Sequence, residues 1–132
     1  MLERIHKMKN IKLHGPYNEQ NELAAIYAKG HVVFGMLDTL ADENEGLLLP
    51  KRIYHAQAFG RPVVTTSGSV CADKVAIDNL GWAIESSVDS LCDFVLTLSK
   101  DGYSFYTEKM ANLPAHTEAF LGKEYADLAK KL

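Results

Sequence analysis

Apolar residues recur along the chain with two different spacings, and the switches between them mark out alternating helices and strands. Leu2, Ile5 and Met8 fall at helical spacing and Lys9-Asn10 ends that run, so a short helix is expected at the start. Ile11 to His14 alternates apolar residues with Lys and His, the pattern of a short strand, and Gly15-Pro16 stops it with a turn signal. From Asn18 to Lys29 a stripe of Leu23, Ile26 and Tyr27 follows the first-turn acids Glu19 and Glu22, and Gly30 lies just past the end, which predicts a helix. His31 to Leu37 is nearly all apolar and rich in β-branched residues early on, which predicts a strand covered on both faces by helices.

The stretch from Asn44 to Val64, NEGLLLPKRIYHAQAFGRPVV, reads as a glycine-bearing loop, a helix and a buried strand. Pro50 suits a helix start because its missing N–H would have no intrahelical partner, so the helix is placed from about Lys51. Gly60 closes it, and Pro62 prevents continuation ahead of the β-branched pair Val63-Val64, giving a strand over Pro62 to Thr65. A polar loop, Thr66 to Ser69, leads to a helix over Ala72 to Asn79, stopped at Leu80-Gly81. Gly81 to Ile84 reads as a brief edge strand with Trp82 as a packing residue. Ser86 or Ser87 caps the next helix, which carries Asp89 in its first turn and apolar positions Val88, Leu91, Val95 and Leu98, and ends near Lys100-Asp101-Gly102. Two aromatic-bearing helices, Tyr103 to Leu113 and Thr117 to Lys131, are separated by Pro114 and are expected to dock on the domain or to face a partner.

Alternating helices and strands with short connections predict an α/β fold with a parallel, doubly wound sheet. The strands near Ile11, Val32, Val63 and Trp82 are expected in that one sheet. The acidic loop Asp38 to Glu45 follows a strand's carboxyl end, the edge of an open α/β sheet where ligands usually sit.

Candidate chemistry concentrates at the start of the helix after Pro50. Lys51, Arg52 and His55 fall within about 100° on a 3.6-residue helix, while Ile53, Ala56 and Gly60 cluster on another face. Cations in a first turn meet the partial positive charge of the exposed N–H groups, so a negative partner is expected there. A phosphate would serve, with Gly46 letting a ligand approach the backbone. The alternative is that Lys51 and Arg52 are solvated, or paired with Asp42, Glu43 and Glu45 just upstream.

Composition narrows the function classes. The 132 residues suit one domain with one core, and a net charge of −3 without a basic run argues against a nucleic-acid partner. No apolar stretch reaches the length of a membrane span, and the first residues lack a signal peptide's apolar region, so a cytoplasmic protein is expected. Cys71 and Cys92 sit among apolar neighbours and read as buried thiols, and the five histidines show no metal-ligand spacing. No metal is expected.

The organising stretch resembles the donor-binding core in the C-terminal domain of GT-B type glycosyltransferases, the large retaining family (group 1) that uses activated sugar nucleotides. Leu49-Pro50, Arg52, Tyr54, Ala58, Gly60, Pro62 and Val63 match that family's pattern. Two positions depart from it: His55 stands where a glutamate commonly holds the nucleotide ribose, and Leu47 stands where the partner glutamate eight residues earlier would be. The resemblance runs from about Ile11 to Leu113. It implies a three-layer Rossmann-like domain with helices on both faces of a parallel sheet, spanning residues 1–132. It implies transfer of a hexose from a nucleoside-diphosphate sugar to a hydroxyl acceptor, with no further cofactor. Lys51 and Arg52 would hold the diphosphate, the loop Gly46, Leu47 and Leu48 would present backbone N–H groups to phosphate or sugar, and Gly15 to Tyr17 would lie near the base. His55 would either turn imidazolium beside the phosphate or, as a neutral ring, hydrogen-bond the ribose in place of the glutamate.

In the family a strand and glycine-bearing loop, and before them an N-terminal acceptor domain, precede this region. The chain is therefore expected to be a fragment or isolated domain, inactive alone, with the catalytic residues not identified. Two other readings stay open: a binding module of the same fold without catalysis, and an unrelated flavodoxin-like domain, although no acidic cluster marks the first strand end as such domains would suggest.

Overall fold

The computed structural model describes residues 2–37 and 46–111. Nine elements follow in order within them: α1 (Leu2–His6), α2 (Glu19–Lys29), β1 (Val33–Gly35), α3 (Lys51–Ala58), β2 (Val63–Thr66), α4 (Val70–Ile77), β3 (Gly81–Ile84), α5 (Val88–Thr97) and α6 (Lys100–Ala111). The strands form one open sheet in the order β1-β2-β3, parallel throughout. Val33 pairs with Val63 and Val63 with Gly81, so α3 and α4 each connect two neighbouring parallel strands. The described residues thus form a small α/β unit. The acidic loop and the last predicted helix, Thr117 to Lys131, lie outside the described residues.

Local signals account for most of the helix boundaries. Asn18 caps α2 by accepting from the Gln20 and Asn21 N–H groups, and Glu22 accepts from the Asn18 N–H at 2.6 Å, a reciprocal capping arrangement. Ser69 caps α4 and Ser87 caps α5. The Ser69 cap is why α4 starts at Val70, two residues ahead of the expected Ala72. At the other end of α5 the expectation placed Gly102 as a stop, yet Gly102 lies in the first turn of α6. Ser99 accounts for this, because its hydroxyl oxygen accepts from the Gly102 N–H at 3.0 Å and opens a new helix.

The core lies between the sheet and α3 and α4, and Met110 of α6 joins it. Ile53, Ala56, Val63, Cys71 and Leu80 are wholly buried, with Leu37, Val75 and Met110 nearly so. Gly35 lets α3 pack tightly on the sheet. A Cβ there would stand 2.8 Å from Val63 Cγ1 and 3.0 Å from Ile53 Cδ1. In a parallel sheet residues in register share a face, which puts Phe34, Val64 and Trp82 on the other side. There Trp82 packs edge to face on Phe94 of α5 (5.1 Å) and Tyr106 of α6 (4.7 Å), the packing role expected of it.

Three expectations are corrected. Ile11 to His14 forms no strand, because its alternation finds no neighbour to pair with, and Ile11 and Leu13 stay exposed. β1 is not covered on both faces: Phe34 is 57% exposed, because α5 and α6 meet the second face at β3. Cys92 is exposed on α5, whereas Cys71 is buried as expected. The apolar stripe of α5 accounts for the difference, since it buries none of its residues completely and leaves Val88 and Val95 largely in solvent.

Candidate functional site

The start of α3 lies at the carboxyl end of β1. Pro50 holds an extended backbone (φ −63°, ψ 144°), offers no side-chain acceptor, and is followed by a first turn with no acid in it. Arg52 fixes the position, its Nη2 donating to the carbonyl of Met36, just past β1, at 3.4 Å. Leu37 is tied to the end of β2, donating to Thr66 Oγ1 at 2.9 Å and accepting from it at 2.9 Å. Upstream, residues 46–47 make a 3₁₀ turn. Leu47 and Leu48 are exposed, and the Leu48 carbonyl accepts from the Cys71 thiol at 3.1 Å. Burial pushes that thiol's pKa up and keeps it protonated. Arg52 is thereby held beside the end of β1 and Leu48 beside the start of α4, while Gly46 and Leu47 form the turn just ahead of α3.

Helix α2 contributes the acid that α3 lacks. Glu19, its first residue, accepts a charged hydrogen bond from Lys51 Nζ, and the same carboxylate oxygen stands 3.4 Å from His55 Nε2. Eight residues along each helix, the Tyr27 ring stacks on Phe59 at 5.1 Å. Glu19 matching Lys51 and Tyr27 matching Phe59 means that α2 and α3 run side by side in the same direction. His55 turns into the seam between them, 5% exposed, with Tyr27 edge-on to its ring at 6.0 Å. It does not share the open face of Lys51 and Arg52.

The titrations follow from this packing. The hydrogen bond from Lys51 holds the Glu19 carboxyl below its usual range, and burial pushes the Tyr27 phenol up to about 12. His55 is shifted down from 6.5 by burial, with Glu19 pulling it up and Lys51 pushing it further down. A histidine whose folded pKa is depressed binds fewer protons than the unfolded chain just below pH 6.5, so stability falls as pH drops through that value. His55→Gln is expected to flatten the urea midpoint between about pH 7 and 5.5, where the parent loses at most about 1.4 kcal/mol per pH unit from this one group. The Glu19 contribution is lost at lower pH, below its ordinary 4.5, and remains in the variant.

The remaining candidates occupy the flank of α2. Tyr17, 56% exposed, lines a cavity of about 280 Å³ together with Arg52, Tyr27, Arg61, Val32 and Val33. Arg61 Nε donates to the Tyr27 carbonyl at 2.8 Å. Gly15, at φ +74°, lies in a neighbouring cavity of about 260 Å³ with His14, Pro16, Tyr17 and Glu22. Tyr17 and Arg52 are therefore brought together, while Gly46, Leu47 and Leu48 line neither cavity. Glu19, Tyr27 and Arg61 are the additions to the sequence-derived set. Glu19 carried a helix-start signal only, since its pairing with a lysine 32 positions away is set by how two helices dock. Among the described residues no group of three or more His, Cys, Asp or Glu could hold a metal ion, and no helix is long and apolar enough to cross a membrane.

No protein-family model matches the chain, and no curated protein matches it.

Proposed function

We propose that the chain is the donor-binding domain of a GT-B type glycosyltransferase, which transfers a hexose from a nucleoside-diphosphate sugar to a hydroxyl acceptor. The observation that carries this reading is the acid-free first turn of α3, where Lys51 and Arg52 stand side by side and Arg52 reaches the Met36 carbonyl just past the carboxyl end of β1. Cations and backbone N–H groups aimed at one place stabilise the charge that develops on a departing diphosphate. Tyr17, beside Arg52 in the α2 cavity, is a surface on which the nucleotide base would lie. In this reading the sheet belongs to a three-layer Rossmann-like domain spanning residues 1–132, a proposal supported by the two strand-helix-strand connections. The free thiols of Cys71 and Cys92 suit work in the reducing cytoplasm.

One observation favours a second reading, a nucleotide-binding or interaction module without catalysis. Neither position 47 nor position 55 carries a carboxylate, and His55 is buried in the α2–α3 seam, away from a ribose at the open face.

Calorimetric titration with UDP, GDP and ADP tests both readings. At least one is expected to bind the parent chain, and Lys51→Ala/Arg52→Ala is expected to weaken it by tenfold or more, as loss of two charge-assisted contacts implies, at about 1.5 kcal/mol or more together. Absence of binding to all three would exclude the nucleotide reading. Transfer or hydrolysis of the matching sugar nucleotide by the enzyme containing this domain separates the catalytic reading from the binding module.

A further inference from the structure

Among the described residues, the negative charge beside the start of α3 comes from another helix. The first turn of α3 contains two cations and no acid, and Pro50 offers no side-chain acceptor. A single oxygen of Glu19, on α2, receives Lys51 and stands 3.4 Å from His55 Nε2. The three side chains are unequal in freedom. His55 is buried beneath Tyr27, and Glu19 is anchored in the capped first turn of α2, whereas the Lys51 side chain is 66% exposed on a long flexible stem. Lys51 can therefore leave Glu19 without either helix moving.

We propose that Glu19 is an internal stand-in for the ligand's phosphate: it holds Lys51 while the site is empty and yields it when a diphosphate arrives. This rests on the diphosphate reading of the same site. Exposed ion pairs contribute little to stability, so the exchange is easily made, and phosphate carries more charge than a carboxylate and outcompetes it for the ammonium. Ligand entry is thus an exchange of anions, and Glu19 lowers the affinity of the site for every anion that needs Lys51. Singly charged anions, which gain least over the carboxylate they displace, are excluded most effectively. Glu19 sets which anions are admitted.

A double-mutant cycle on the chain, read by calorimetry with inorganic pyrophosphate, tests the exchange. Glu19→Gln removes the charge and keeps the shape, and it is expected to tighten pyrophosphate binding about threefold, the scale of one exposed ion pair. The same substitution in a Lys51→Ala background is expected to leave the affinity unchanged. Glu19→Asp keeps an acid in the first turn of α2 but shortens its reach, and it should tighten binding in the same direction; circular dichroism verifies that each variant keeps its helices. Unchanged or weaker binding in both Glu19 variants overturns the proposal while leaving the diphosphate reading in place. Equal tightening with and without Lys51 also overturns it, since the effect would then be general repulsion. If the parent and all variants fail to bind pyrophosphate, the exchange is overturned, and the diphosphate reading falls with it only when UDP, GDP and ADP fail to bind as well.

Discussion

Gly81→Ala is expected to destabilise the fold severely. Gly81 opens β3 at φ +152° and pairs with Val63 in the centre of the sheet. A Cβ built there would stand 1.9 Å from the Val63 carbonyl oxygen, 2.6 Å from its nitrogen and 2.8 Å from its carbonyl carbon. All three are backbone atoms of the middle strand, so no rotamer change relieves the overlap. Relief requires β3 to move off β2, which breaks the bond from the Val63 N–H to the Leu80 carbonyl (2.9 Å) and withdraws Trp82 from Phe94 and Tyr106. A loss of roughly 4 kcal/mol or more is expected, at the extreme of single substitutions. A domain of this size holds about 5 to 15 kcal/mol in total. Gly68→Ala is the control: at φ +75° it is strained too, but its Cβ would meet nothing within 4 Å, so it costs about 1 to 2 kcal/mol. Urea unfolding followed by Trp82 fluorescence compares the two, and a Gly81→Ala midpoint equal to that of Gly68→Ala would refute the account.

The contrast between these glycines also marks what could be read from the residues alone. Helix limits set by neighbours in the chain were readable: Asn18 and Gly30 around α2, Pro50 and Gly60 around α3, and Ser87 at the start of α5. β3 was readable at both ends. Ile11 to His14 shows why strands differ from helices, since a helix satisfies its backbone within the segment and a strand needs a partner that no local pattern specifies. Phe34 and Cys92 make the same point for burial, because apolar neighbours in sequence do not say whether another layer arrives to cover them.

At the site the local and non-local parts separate in the same way. The basic start of α3 follows from two adjacent residues, Lys51 and Arg52. Whether each side chain faces water depends on α2, which covers His55 with Tyr27 and presents Glu19 to Lys51. A helical wheel places His55 within an arc of Lys51 and Arg52, but it contains no information on which edge of that arc a neighbouring helix will occupy. The demand for a negative partner was sound physics, and among the described residues it is met by Glu19, far away in the chain.

Thr66→Val is expected to destabilise the domain by about 2 to 4 kcal/mol and to loosen the candidate site. Thr66 is 2% exposed, and its hydroxyl both donates to the Leu37 carbonyl and accepts from the Leu37 N–H, each at 2.9 Å. Valine keeps the branched shape and the strand preference, so the substitution isolates the hydroxyl. It leaves the Leu37 N–H without its acceptor, and the Leu37 carbonyl keeps only a 3.3 Å contact from Ser86 Oγ. A buried polar group stripped of its partner costs about 1 to 3 kcal/mol, and two groups are affected here. The consequence reaches function because Met36, the residue before Leu37, is the one whose carbonyl receives Arg52. With Leu37 no longer pinned to β2, Arg52 loses its fixed position, and nucleotide binding is expected to weaken together with stability. Urea unfolding should show a lower midpoint with unchanged slope, and hydrogen exchange should show a larger rise in exchange at the Leu37 amide than at the amides of β2. A Thr66→Val variant as stable as the parent, with the Leu37 amide still protected, would mean that this pair of bonds does not hold the strand end in place.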